Sequence, residues 1–484
     1  VRQAREEERP WEPRLAVALA AIAVAALWLR PLTSSLWLDE TGTIWLTDGS
    51  LAESLERTLT YQGGSPLYYV FAWSARQISS SEVVLRIPSV LAMGAAVYLL
   101  YRLGARLFDR HTGMFAAVPF AALPAVAFAA GDARPYALAL VTLLGSAVAL
   151  LRWQDEGLLR DGLLYALCVV ATCYLHYMIA LALLAHPVLL ARDLGNVPRR
   201  QLVMAAGVAL ALALPLAPNA LHVIGQRGVL SNPKPEDLAT LVSALAPPLI
   251  LGAIALPAIV ATFARRRDVV VPRPPASSLL FVLTWLIAPF VVLAAVAAFT
   301  STDALITRYL LSTAPAVCLL VGMALAIVPQ VAARYVAVGL GVIAALAFTS
   351  SDHTTEDWRA AAAAERAVAD EETPVLLFSG FIEAKQEDWL VDPERASYLE
   401  APASAYPLDG RVFAGPWELG RPENTYMEDL YERHLRESER VVLMTTGGSS
   451  ATAMWLDRRL LPDGYTKDLV EVWDDKIFLF TYDR

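Results

Sequence analysis

Two adjacent carboxylates, Asp39 and Glu40, stand in the stretch Ser35-Leu36-Trp37-Leu38-Asp39-Glu40-Thr41-Gly42, directly after the apolar run from Leu15 to Leu32. Charge at a membrane face is costly unless something uses it. Such a pair either supplies a general base and an orienting group for an incoming hydroxyl, or caps a short helix and does no chemistry. Further along, Gly131-Asp132-Ala133-Arg134-Pro135-Tyr136 places an aspartate and an arginine two apart, ahead of a helix-starting proline. That corner suits a phosphate, and equally an Arg–Asp pair closing a loop with Tyr136 at the interface. In Tyr174-Leu175-His176-Tyr177, a histidine between tyrosines reads first as an interface residue with a satisfied hydrogen bond, and second as a ligand. In Thr307-Arg308-Tyr309, Arg308 either snorkels to the headgroups or grips a lipid phosphate through a forked hydrogen bond. Arg86 lies one turn inside an apolar run, and Glu82, four residues earlier, is its expected partner.

The elements that must position these residues are membrane helices. The chain has 484 residues, 56% hydrophobic and 18% charged, with a mean hydropathy of +0.46, which excludes an ordinary soluble protein. Eleven apolar runs are long enough to read as candidate spans, near 15–32, 83–107, 113–130, 135–151, 161–173, 175–191, 201–217, 239–263, 278–299, 305–328 and 332–349. The fifth is short and merges with the sixth as a broken pair in one reading of the count. Alternate connections carry arginine: 102, 106 and 110; 152 and 160; 192, 199 and 200; 265, 266, 267 and 273. By the positive-inside rule the N-terminus is cytoplasmic, and the acidic pair and the C-terminal region are extracytoplasmic. The first run ends in Trp28-Leu29-Arg30-Pro31 with no small-residue cleavage site, so it reads as a retained helix.

Residues 33–82 form a connection unusually long for a helical bundle, and such loops are usually functional. Within it Leu51 to Leu59 reads as a short amphipathic helix along the interface, and Gly63-Gly64-Ser65-Pro66-Leu67-Tyr68-Tyr69 combines turn residues with headgroup-level aromatics. Residues 352–484 hold 28 acids and 14 bases, whereas the rest of the chain is slightly basic. An acidic domain excludes nucleic acid as its partner. Its pattern predicts a small α/β domain: helices at 356–370, 427–436 and 451–461, buried strands at 374–378 and 440–444, and a closing hairpin over 469–481. It lacks G-x-G-x-x-G, a P-loop and D-x-D. Cys168, Cys173 and Cys318 all fall in apolar runs and read as small buried hydrophobes.

In order along the chain come Asp-Glu, Ser-Pro-Leu-Tyr-Tyr, Leu-Arg-Ile-Pro-Ser, Ala-Arg-Pro-Tyr-Ala-Leu, Tyr-Leu-His-Tyr, Arg-Tyr-Leu-Leu and, after the last span, Asp357-Trp358-Arg359. This series resembles the GT-C glycosyltransferases of the group of protein O-mannosyltransferases and lipid A aminoarabinose transferases, over roughly residues 15–350. The resemblance implies a polytopic α-helical membrane protein of GT-C fold with about eleven transmembrane helices (residues 1–351), followed by the soluble domain (352–484), in the plasma membrane. It implies a sugar donor on a polyprenyl phosphate, used at the extracytoplasmic face by a single, inverting displacement, and a glycan, lipid or protein acceptor. Carried over, Asp39 matches the first-loop general base, with Glu40 orienting the acceptor. Asp132 stands where relatives often have a glutamate, and Arg134 matches the family arginine. Arg134, Arg308 and Tyr136 are then expected at the donor phosphate, and Tyr68, Tyr69, His176, Tyr177 and Tyr309 at the acceptor or sugar. Where relatives commonly show His-Pro-Pro, this chain has Gly64-Ser65-Pro66, so no histidine stands there for a metal or acceptor role. If a divalent metal ion takes part, Asp39, Asp132 and His176 are its expected ligands.

The alternative class is a flippase of lipid-linked sugars, which predicts inverted repeats, matched broken helices and charge near the midplane. The charges here fall at the outer ends of the runs and no repeat is evident. A binding protein with a membrane anchor needs one span rather than eleven. An intramembrane hydrolase lacks its motifs, with neither G-x-S-x-G nor H-E-x-x-H in the chain.

Overall fold

The computed structural model describes residues 11–62, 64–221, 238–245, 247–264, 274–299, 305–349, 353–354, 356–448 and 450–484. Arg265, Arg266, Arg267 and Arg273, which contribute to the sidedness argument, lie outside the described residues. The chain divides into two compact units. One comprises Val1–Leu32, Gly63–Phe71 and Arg86–Ser351; the other comprises Thr33–Gln62, Ala72–Leu85 and Asp352–Arg484. The chain is therefore not divided by a single cut, because most of the long first connection belongs with the C-terminal residues.

Among its described residues the first unit is built of helices and contains no strand. All eleven apolar runs contain helix, but among the described residues five helices are long and apolar enough to cross a membrane. They are Glu12–Thr33, Glu82–Leu107, Tyr136–Glu156, Ala276–Phe299 and Thr307–Ala326; a sixth is Arg110–Ala122 with Pro124–Ala130, bent by 69°. The remainder are shorter, such as Tyr177–Arg192, Pro248–Phe263 and Val331–Ala347. Large apolar side chains such as Val17, Leu91, Leu210, Leu256 and Phe299 point outward, as they do when the surroundings are lipid. This is a multi-pass membrane protein.

Backbones in this unit approach closely at glycines. A Cβ on Gly104 would lie 2.7 Å from Gly113 Cα, and one on Gly322 would lie 2.4 Å from the Thr112 carbonyl oxygen. Small residues permit such contact, and packing is the main force between helices in lipid. Gly322→Leu should therefore cost about 1–3 kcal/mol or more, read as a lower melting temperature in detergent. Gly207→Leu, at a site with nothing within 4 Å, should leave it unchanged. Arg86, fully buried, donates to the carbonyls of Pro31 and Leu32 at 3.1 and 3.0 Å, where a helix end leaves orphan acceptors.

In the second unit a five-stranded sheet runs in the order β2-β1-β3-β5-β4. Its strands are β1 Pro374–Phe378, β2 Arg411–Ala414, β3 Arg440–Thr446, β4 Thr466–Trp473 and β5 Ile477–Asp483. β1 pairs parallel with β2 and β3, whereas β5 pairs antiparallel with β3 and β4. Strand alternation builds two cores. Leu376, Val441, Leu443 and Tyr482 pack with the helices Arg421–Leu430 and Ala451–Leu460. Val375, Leu377, Val442, Met444 and Leu479 pack with Trp358 and Ala361 of the helix Trp358–Glu365. β2 escapes the sequence reading because it is short and half-exposed, with no buried run.

Glu400, between two short helices, accepts the Ala414 N–H, yet burial pushes its carboxyl up to about 7. A carboxyl raised above its unfolded value stabilises the fold below that unfolded value, and this stability is lost as pH rises through about 7. Glu400→Gln should flatten this dependence and protect β2 by up to about 3 kcal/mol at pH 8. Hydrogen exchange at Val412 to Ala414, compared at pH 5 and pH 8 after correction for intrinsic rates, checks it.

Candidate active site

Asp39 and Glu40 open the helix Leu38–Leu46, where a carboxylate is favoured by the unpaired N–H groups of the first turn. Their fates differ. Glu40 is fully buried and its carboxylate accepts the Trp37 N–H at 3.3 Å, a capping role. Asp39 is half-buried. The helix is fastened on both sides. Tyr406 Oη accepts the Leu36 N–H at 2.8 Å and donates to Glu82 at 2.8 Å. Trp45 meets Tyr61 and Tyr398 edge to face at 5.5 and 5.3 Å, and its indole N–H donates to Ser397 at 2.9 Å. Glu82, the partner expected for Arg86 from spacing, also pairs with Arg359 at 3.4 Å.

Glu356 is a residue that sequence reasoning passed over. Its carboxylate accepts from the Leu38 N–H at 2.8 Å and from Trp358 Nε1 at 3.2 Å. Burial pushes it above the usual carboxylate range; the two hydrogen bonds oppose this and the Asp39 charge adds to it. The available signal was its place directly before Asp357-Trp358-Arg359. That motif is itself a fastener: Asp357 caps its helix by accepting the Ala360 N–H at 2.9 Å, Trp358 is buried, and Arg359 donates to the Thr33 carbonyl at 2.9 Å.

In the helical unit, Gly131 to Pro135 form a tight corner between the helices Pro124–Ala130 and Tyr136–Glu156. Asp132 is fully buried there. Arg134 Nη1 donates to Tyr69 Oη at 3.2 Å, and Ser89 Oγ donates to the Arg134 carbonyl at 3.4 Å. Tyr69 is set against Tyr68, ring centres 5.1 Å apart, and both are buried. Pro66 starts their helix, and Ser65 before it has φ +65°, a left-handed conformation unusual for a residue with a side chain.

Two residues past Arg134 a chain of rings begins. Tyr136 lies 5.1 Å from His176, His176 lies 5.8 Å from Tyr309, and the Arg308 guanidinium lies 5.8 Å from the Tyr309 ring centre. Tyr177 Oη donates to Asn219 at 2.7 Å, and Gly64 lies alongside Tyr177. The structure thus gathers Tyr68, Tyr69 and Arg134 into one cluster and Tyr136, His176, Arg308 and Tyr309 into another. His176 Nδ1 accepts the Ile179 N–H at 3.3 Å and so caps the short helix Tyr177–Ala180.

Chemically, the helical unit offers a guanidinium oriented by a buried phenol, with five N–H donors in a fixed fork, as a group leaving with phosphate charge requires. The second unit offers a half-buried carboxylate on a braced helix.

The model of the dolichyl-phosphate-mannose-protein mannosyltransferase family matches residues 64–222. No curated protein sequence matches the chain. Among solved structures, ArnT from Cupriavidus metallidurans bound to undecaprenyl phosphate is similar at 13% identity, with 98% of each chain covered and a TM-score of 0.60. The oligosaccharyltransferase of Archaeoglobus fulgidus is similar at 13% identity, covering 90% of this chain and 70% of its own, with a TM-score of 0.53. The oligosaccharyltransferase AglB from Archaeoglobus fulgidus, in complex with an inhibitory peptide and a dolichol-phosphate, gives a TM-score of 0.52 at 13% identity, covering 90% of this chain and 69% of its own. The segment matched by the family model contains Arg134, Tyr136 and His176, and over 98% of both chains the protein shares the fold of ArnT.

Proposed function

We propose that the protein moves a sugar from a polyprenyl-phosphate-linked donor to an acceptor hydroxyl at the extracytoplasmic face of the membrane. The observation that carries this reading is Arg134, held by Tyr69 at a buried corner of a fold whose relative binds undecaprenyl phosphate. The orientation rests on the arginine alternation, with the N-terminus cytoplasmic and residues 352–484 outside. The unit of residues 1–32, 63–71 and 86–351 would form the transmembrane domain, and the unit of residues 33–62, 72–85 and 352–484 an extracytoplasmic domain.

In the proposed step Asp39 takes the proton of the acceptor hydroxyl. The hydroxyl oxygen forms a bond to the anomeric carbon while the bond from that carbon to the phosphate oxygen breaks. The electron pair leaves with the polyprenyl phosphate, whose growing charge Arg134 and Arg308 stabilise. One displacement inverts the anomeric centre. Glu40 serves as the cap that holds Asp39 in the first turn of its helix. Tyr68, Tyr69, Tyr136, His176, Tyr177 and Tyr309 supply the aromatic and hydroxyl surface for donor and sugar. No step is assigned to a metal ion.

The test is transfer of label from radiolabelled polyprenyl-phosphate sugars into membrane extracts by the purified protein. A labelled product whose anomeric configuration is opposite to the donor's is expected. Movement of the labelled lipid across the bilayer without any transfer would make the protein a flippase instead.

A further inference from the structure

Beside the Asp39 helix, wholly within the second unit, lies a cleft of about 550 Å³ that the proposed transfer step leaves unused. It sits at the carboxyl ends of β1 and β3, lined by Phe378 and Thr446, the last residues of the two strands, and by Gly380 and Gly447 beyond them. Its position follows from the topology. From β1 the chain passes to β2 on one side, and from β3 it passes through the helix Ala451–Leu460 to β4 on the other, so the loops leaving β1 and β3 part. Open α/β sheets hold ligands at such switch points. Gly380 and Gly447 turn away with φ of +93° and +85°, and a Cβ on Gly380 would lie 2.7 Å from Thr446 Oγ1.

The lining selects a ligand class. Glu356 and Asp475 contribute two carboxylates against one ammonium, Lys476. The helix Ala451–Leu460 opens at the cleft, but its Ala453 N–H is taken by Ser450 Oγ at 3.1 Å. An anion is therefore poorly served. Trp417 supplies an aromatic wall, braced by Phe378 at 5.8 Å and Lys385 at 5.3 Å. Carboxylates and an ammonium that hydrogen-bond hydroxyls, with an indole covering an apolar C–H face, describe a carbohydrate site, and the volume is that of a small-molecule site. The cleft also adjoins the proposed base. Leu38, the residue before Asp39, lines it, as does Glu356, whose carboxyl feels the Asp39 charge.

We propose that this cleft binds an uncharged sugar residue of the acceptor, so that the acceptor is a glycan. The acceptor assignment rests on the transferase reading above; the binding of saccharide does not.

Saturation-transfer NMR on the full-length protein in detergent tests it. The probes are a panel of neutral disaccharides (mannose, galactose, glucose and arabinose types), with inorganic phosphate as competitor. Ala451→Trp, at the cleft wall, fills the space, and Trp417→Ala removes the aromatic wall. The expected result is binding of at least one disaccharide by wild type and by Asp39→Asn, at least ten-fold weaker in both cleft variants, and unaffected by phosphate. Thermal unfolding identifies any variant that fails to fold, and the other variant then decides. Displacement by phosphate, equal binding in a folded cleft variant, or no binding of any panel member would overturn the proposal. Binding that persists when wild type transfers from no donor would leave the saccharide site standing and remove the transferase reading with its acceptor assignment.

Discussion

Asp39→Asn should lower sugar transfer by about 10²–10⁴-fold, the usual contribution of a positioned general base. Asparagine keeps the size of the side chain and its place in the first turn of Leu38–Leu46, so the helix remains and the proton acceptor goes. Glu40→Gln is the informative contrast. Glu40 is buried and caps Trp37, so its loss should cost about 0.5–2 kcal/mol of stability, with transfer reduced only several-fold. Initial rates with a labelled polyprenyl-phosphate sugar, beside melting curves for each variant, separate the two effects. Equal transfer by Asp39→Asn and wild type would remove Asp39 as the base, and Asp132→Asn would then be the variant to examine.

Arg134→Ala should reduce turnover by about 10²–10³-fold, because the group that meets the leaving phosphate is gone. Arg134→Lys should recover little of this. An ammonium is a point charge without the guanidinium fork, and it cannot keep both a phosphate and the Tyr69 hydroxyl in one plane. Tyr69→Phe should fall between wild type and Arg134→Ala. It removes one hydrogen bond to a charged group, worth about 1.5–3 kcal/mol when fully expressed, while the ring still packs on Tyr68. Steady-state rates over a range of donor concentrations, with free polyprenyl phosphate as product inhibitor, check the series. Inhibition weakened in parallel with turnover is expected of a phosphate-binding arginine. Unchanged inhibition would reassign Arg134 to holding its corner together with Ser89.

By itself the sequence determined the broad class and most of the local elements. Apolar runs become membrane helices because an isolated backbone must satisfy its own hydrogen bonds in lipid, so composition alone marks them. The strands at 374–378 and 440–444, the second of which runs on to Thr446, and the closing hairpin were equally legible, since buried β-branched and aliphatic runs ending in glycine or polar turns have few other solutions. The candidate residues were legible as residue types at the ends of runs: Asp39, Asp132, Arg134, His176, Arg308.

Tertiary structure decided what each of them touches. The two carboxylates of Asp39-Glu40 look alike in sequence, yet helix geometry gives Glu40 to the Trp37 N–H and leaves Asp39 half-buried. Spacing paired Glu82 with Arg86, whereas Glu82 engages Tyr406 and Arg359, more than 270 residues away in the chain. Glu356 and the cleft it lines are assembled from six separate stretches of chain, which no local pattern records. Span length was not legible either: among the described residues several apolar runs form helices of 10–17 residues, and one pair is bent by 69°. Local sequence sets which conformations are cheap, but long-range partners are chosen by the chain folding back on itself, and that choice fixes the chemistry of a site.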